Sequence, residues 1–206
     1  MNRIAFLSLA LAAAVSAGCN ETARNDRADG IENRSTGTSG VDRTNTVSNA
    51  DKTFFEETAI ANMAEVELGK MAAERSANAG VKQFAQMMVD EHTKAGEKLK
   101  SIASQHNVPL PTALDENHRE LRDKLAALKG AEFDKQYMTA MVNGHEDVLD
   151  TLGSRVDRAN PQAVVAEKSD NIVTMDLNQW AAEAYPVVQK HLESAKRVDE
   201  GVQAAR

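Results

Sequence analysis

Four long stretches of this sequence each carry one ionisable residue at a position where helical spacing calls for an apolar one: Glu65, His92, His145 and His191. In the first, Phe54, Thr58, Ala61, Glu65, Leu68 and Ala72 recur at alternating steps of four and three, a bundle seam with a carboxylate in it. The second seam reads Val81, Phe84, Met88, His92, Ala95, Leu99, Ile102 and His106. The third reads Phe133, Tyr137, Met141, His145, Val148 and Leu152, and the last Leu177, Trp180, Ala184, Val188, His191, Ala195 and Val198. The residues lie near the middles of their segments. In a bundle, helix midpoints share one height, and at a rise of about 1.5 Å per residue the largest offset is roughly 6 Å. One Glu and three His are therefore expected in a single core layer.

Imidazole and carboxylate suit Zn, Cu, Fe or Mn, and helical bundles build such sites from facing helices. Met88 and Met141 each sit four residues before a layer histidine, and their thioethers would favour copper. The competing expectation is a hydrogen-bonded structural layer, with Glu65 paired to a protonated imidazole and the methionines as core filler. A di-iron carboxylate centre needs Glu-x-x-His on two helices. The residues three before His92, His145 and His191 are Val89, Val142 and Val188, which disfavours ferritin-type oxidase chemistry. Asp90-Glu91 and Glu146-Asp147 point away from the seams and read as solvated rim. His106 and His118 read as surface residues near helix ends, and Tyr185 as packing. No Gly-rich phosphate loop, G-x-S-x-G elbow or H-E-x-x-H occurs.

The elements that must position the layer follow from the punctuation. The first helix starts at Asp51 and ends at Ala79-Gly80. The second runs from Val81 to His106 and is stopped by Asn107-Val108-Pro109-Leu110-Pro111. A shorter helix, Leu114 to Lys129, places Leu121, Leu125 and Leu128 on one side, and Gly130 closes it. The next runs from Ala131 to Asp157, and Asn160-Pro161 breaks it. Residues 162–173 are ambiguous. Asp176-x-x-Gln179 resembles a capping box opening the last helix, and Pro186 is expected to kink it. These elements read as an all-α, ferritin-like up-down-up-down four-helix bundle, with an extra short helix between the second and third long helices.

The N-terminus is an address. A basic start, Met1-Asn2-Arg3, precedes an apolar run from Ile4 to Val15 that is too short to span a membrane. Ala17-Gly18-Cys19 follows and matches a lipobox, although Ser16 stands where that pattern usually has Leu. Val15-Ser16-Ala17 also fits ordinary signal cleavage. Residues 1–18 are thus read as an export signal and Cys19 as a lipidated first residue. Residues 19–50 contain no aromatic, Leu or Met. They are read as a disordered tether, and residues 51–206 as the bundle domain. Of the 206 residues, 24 are Lys or Arg and 31 Asp or Glu, for a net charge of −7, all of it beyond residue 50. That charge argues against nucleic acid as a partner. A single cysteine excludes an intrachain disulfide framework and a CxxC zinc site.

The segments Glu65-Val66-Glu67-Leu68-Gly69, Val81-Lys82-Gln83-Phe84-Ala85-Gln86-Met87-Met88-Val89-Asp90-Glu91-His92, Gly130-Ala131-Glu132-Phe133-Asp134-Lys135-Gln136-Tyr137, Met141-Val142-Asn143-Gly144-His145 and Pro186-Val187-Val188-Gln189-Lys190-His191-Leu192 together resemble an uncharacterised family of bacterial predicted outer-membrane or periplasmic proteins. Its domain of unknown function is a ferritin-like four-helix bundle. The resemblance covers residues 53–198. It implies an exported bundle with the family's Glu and His at Glu65, His92, His145 and His191, and implies no established activity. The chain departs from the family in having Asp90-Glu91-His92 where Asp-His is common, and in a longer link over 153–175. The resulting expectation is an outer-membrane-anchored lipoprotein facing the periplasm, or a soluble periplasmic form. Its role would be non-enzymatic, structural or stress-related. The alternatives are a metal-binding or metal-storage module and, disfavoured, a metal-dependent oxidase. The expected membrane contact is the lipid anchor; protein partners are not indicated.

Overall fold

The computed structural model describes residues 44–160 and 169–205. The export signal, Cys19, tether residues 19–43 and link residues 161–168 lie outside the described residues. Five helices are described: α1 (Asn49–Arg75), α2 (Ala79–Gln105), α3 (Glu116–Ala127), α4 (Gly130–Gly153) and α5 (Ile172–Ala204). The described residues are thus all-helical, apart from one isolated bridge between Thr44 and Asn171.

Four of the helix starts are set by side chains that take up otherwise unpaired first-turn amides. Ser48 Oγ accepts from the Asp51 amide at 3.0 Å, Asp115 Oδ1 from His118 at 2.9 Å, and Asn78 Oδ1 from Gly80 and Val81 at 2.9 and 3.2 Å. Ala79-Gly80 therefore opens α2 instead of ending α1, which stops at Arg75. The last helix begins earlier than expected. Asn171 caps it, accepting from the Val173 and Thr174 amides at 2.9 and 3.3 Å, so Asp176-x-x-Gln179 lies inside the first turns. Pro186 is accommodated within α5. Gly130 enters α4 with a φ of +58°, the left-handed conformation glycine adopts without strain.

The core divides into two apolar clusters. One holds Phe54, Phe55, Leu99, Leu152, Leu177 and Trp180; the other holds Leu68, Phe84, Met88, Phe133, Tyr137 and Met141. Along α1 and α5 the chain passes from the first cluster to the second. Along α2 and α4 it passes from the second to the first. The helix directions are therefore up-down-down-up, which corrects the up-down-up-down expectation. The reason lies in the link between α2 and α4. It does not turn back at once but carries α3 toward the far end of the bundle. There Arg75 donates to the Leu125 and Leu128 carbonyls and lies over the Phe133 ring at 5.0 Å. Glu65, His92, His145 and His191 each fall between the two clusters in their own helix.

The approach of α1 to α2 below this layer depends on Gly69. A Cβ there would lie 3.0 Å from the Ala85 carbonyl oxygen and from Val89 Cγ2. Backbone cannot yield cheaply, so Gly69→Ala is expected to cost about 1–3 kcal/mol in overpacking. Thermal unfolding would show this as a lowered Tm, and an unchanged Tm would mean that the helices separate freely.

Residues 44–48, assigned by composition to the tether, pack on the end of the bundle where α1 begins. The Thr44 amide donates to Asp170 O and the Ile172 amide to Thr44 O, both at 3.0 Å. Asn171 Nδ2 donates to Thr46 O at 2.6 Å, and Val47 packs against the first cluster.

Candidate metal centre

The layer between the two clusters brings three imidazoles face to face. His92, His145 and His191 stand on α2, α4 and α5, with ring centroids 5.3–5.6 Å apart. All three residues are buried. One ring nitrogen from each lies within 4.8 Å of the others. Among the described residues no Cys, Asp or Glu joins this group. Glu65 is buried beside it, with Oε1 at 3.6 Å from His145 Nδ1. Its carboxyl sits against Gly144 of α4, where a Cβ would come within 3.4 Å of Oε1. The structure thus gathers three of the four expected residues and places Glu65 at the edge.

Each imidazole is held through one nitrogen by a neighbour. His92 Nδ1 faces Asn62 Oδ1 at 3.0 Å, and the Asn62 amide nitrogen donates to Thr58 O, which leaves Oδ1 as the acceptor. His145 Nδ1 donates to the Met141 carbonyl at 2.8 Å. His191 Nε2 donates to Glu91 Oε2 at 2.8 Å. The opposite nitrogens, His92 Nε2, His145 Nε2 and His191 Nδ1, are buried without a partner. Orientation through one nitrogen by an amide, carbonyl or carboxylate oxygen, with the other left open, is how metal-ligating histidines are arranged.

Electrostatics agree. Burial, with the neighbouring His145 and His191, pushes His92 down to about 3. Burial and His191 push His145 down to about 4, against the opposing bond to Met141. Neutral imidazoles are the form that binds metal. Burial raises Glu65 to about 8, so its contact with His145 joins two neutral groups and not an ion pair. Tyr137 is likewise pushed up by burial and by the nearby Glu65. These directions disfavour a protonated pairing of His145 with Glu65.

Asn62 and Glu91 were missed as functional residues. Nothing in the spacing marks Asn62 as an orienting residue, and Glu91 reads as rim. Glu91 is half exposed and still reaches His191 across the α2–α5 boundary. The neighbouring acids behave as expected: Asp90 accepts from Gln86, and Glu146 pairs with Lys196 at 2.7 Å. Met88 and Met141 are buried in the second apolar cluster. His106 corrects its surface assignment. Its side chain is only 6% exposed, with Nε2 at 2.8 Å from Asp176 Oδ2 and Nδ1 at 3.0 Å from Asn45. His118 pairs with Asp115 at 2.7 Å at the start of α3. Tyr185 is packed in the first cluster, as expected.

A family described as a domain of unknown function (DUF4142) matches residues 36–198. No curated protein and no solved structure matches the chain.

Proposed function

The chain belongs to the DUF4142 family, whose domain has no assigned function, and on that premise we propose that it is a metal-binding module. One transition-metal ion would be held by His92, His145 and His191. The observation that carries this reading is the set of three buried imidazole nitrogens with no partner, each on a ring whose other nitrogen is fixed. Leaving a buried polar atom unpaired costs about 1–3 kcal/mol. A layer built only for stability would pair them. Three imidazoles suit Zn, Cu, Fe or Mn, with copper and zinc bound most tightly among first-row ions. Storage or sequestration of one ion fits better than oxidase chemistry, because the carboxylate set of a di-iron centre is missing.

A ferritin-like arrangement is supported by the single long crossover between α2 and α4, and fold alone confers no activity. The proposed location is the bacterial envelope, with the bundle facing the periplasm from a lipid on Cys19. Among the described residues no helix is long and apolar enough to cross a membrane. The mass of the mature N-terminus distinguishes a lipidated Cys19 from cleavage after Ala17.

The test is elemental analysis of the purified protein, with calorimetric titration of Zn, Cu, Fe and Mn after chelation. Near-stoichiometric binding that disappears in a His92→Ala/His145→Ala double variant is expected. No heat of binding for any of the four ions would overturn the reading. Asn62→Ala and Glu91→Gln are expected to weaken binding by roughly 10–100-fold while one ion is still bound at saturation. Glu65→Gln should leave the stoichiometry unchanged, since Glu65 lies outside the nitrogen cluster.

A further inference from the structure

A cleft of about 380 Å³ opens between α2 and α5 and reaches the layer, with His92, His191 and Asn62 among its lining residues. Its walls are mostly apolar, formed by Val148, Leu152, Trp180 and Val188. It is open because Ala61, Ala95 and Ala184 stand where larger side chains would fill the seam. Thr58 also lines it, with a hydroxyl that is buried and has no partner. Three protein ligands and no fourth within range are the mark of a metal site that keeps a position for an outside ligand. The cleft reaches two of the three ligating rings, His92 and His191.

We infer that the α2–α5 cleft binds a small molecule with an apolar body and a single anionic donor group, the donor completing the coordination of the ion at His92, His145 and His191. This rests on the metal reading above. The walls account for the apolar body and the open position for the donor. The mouth sets Glu91 and Glu183 against Lys94 and Lys98, so the positive charge of the bound ion is what accounts for the anion. Glu91 is committed to His191 and Glu183 to Lys98, whereas Lys94 makes no ion pair among the described residues. A docked protein is disfavoured, because Val187 is the only large apolar side chain exposed among the described residues. The volume lies at the small end of ligand sites and suits roughly ten to twenty non-hydrogen atoms.

Trp180, the one tryptophan in the chain, lines the cleft and serves as the reporter. The experiment loads the purified protein with Co²⁺ and titrates benzohydroxamate, following Trp180 emission and the visible cobalt bands. Both signals are expected to change together. Affinity should be at least tenfold tighter than in metal-free protein and at least tenfold tighter than for acetohydroxamate, which lacks the apolar ring. Ala184→Leu, or Ala95→Leu on the facing helix should the first not fold, is expected to weaken benzohydroxamate at least tenfold with full cobalt stoichiometry. If cobalt binds but its bands ignore benzohydroxamate, or the leucine variants bind it as the wild type does, the cleft proposal falls and the metal reading stands. If neither cobalt nor any of Zn, Cu, Fe and Mn binds, both fall; if one of those four binds and cobalt does not, Trp180 emission of the protein loaded with that ion decides the cleft proposal by the same criteria.

Discussion

Alanine at His145 is expected to weaken metal binding by roughly 10²–10³-fold and to abolish most of the stabilisation that metal provides. A zinc site with four protein ligands is worth about 10–16 kcal/mol. Shared among its four ligands, that is roughly 2.5–4 kcal/mol for each. Binding to the folded chain alone raises stability by about 4.1 kcal/mol at a free metal concentration a thousandfold above Kd. For a domain of this size, 1 kcal/mol moves Tm by about 2–4 °C. Wild-type protein should therefore melt roughly 8–16 °C higher with saturating zinc than with chelator, and His145→Ala should show little of that increment. His145 is the residue to choose because its ring meets both other imidazoles and its Nδ1 bond is to backbone, so no side-chain acceptor is orphaned. A structural polar layer predicts the opposite pattern, with the variant losing equal stability in zinc and in chelator. Differential scanning calorimetry under the two conditions separates them.

Much of the site was readable from periodicity because a heptad-like seam states which residues face inward and helix midpoints state their height. Glu65, His92, His145 and His191 are indeed buried between two apolar clusters. Rotation within the layer was not readable. Spacing puts Glu65 on the inner face of α1 but cannot show that its carboxyl settles against Gly144 of α4 instead of among the imidazoles. Glu91 was assigned to solvent because it stands about 100° off the seam. On a helix packed against two neighbours, that angle points toward the next helix, and a long side chain closes the gap to His191. Helix direction was also misread. A link that contains its own amphipathic helix does not turn back locally, and the Leu121, Leu125 and Leu128 stripe was the available sign that α3 lies along the bundle. The packing of residues 44–48 was hidden because composition sees only the absence of large apolar groups. What holds them is backbone hydrogen bonding to Asp170, Asn171 and Ile172.

Asp51→Ala is expected to destabilise the fold by about 3–5 kcal/mol, the usual consequence of stranding one member of a buried ion pair. Asp51 and Arg155 meet at 2.9 Å with both side chains almost wholly enclosed. Asp51 Oδ2 also accepts from Ser48 Oγ at 2.7 Å and from Thr174 Oγ1 at 3.0 Å. The Arg155 guanidinium donates to Ala50 O and Asn178 Oδ1 and lies 4.2 Å from the centre of the Phe54 ring. The starts of α1 and α5 and the end of α4 are thus joined through one carboxylate. Burial alone would raise the Asp51 pKa, but the bonds from Ser48, Arg155 and Thr174 outweigh it and hold the carboxyl below its ordinary 3.8. A carboxylate depressed in the folded state contributes stability that is fully present above the unfolded pKa and is lost as pH falls through the folded value. Urea unfolding of wild type and Asp51→Asn should therefore show a constant gap from pH 7 to about 5 that narrows below about 4. A gap that widened in acid would give the depression the wrong sign. Replacing both partners, as in Asp51→Ala/Arg155→Met, should recover a large part of the loss, because the cost of the single variant lies mainly in the guanidinium it leaves buried and unpaired.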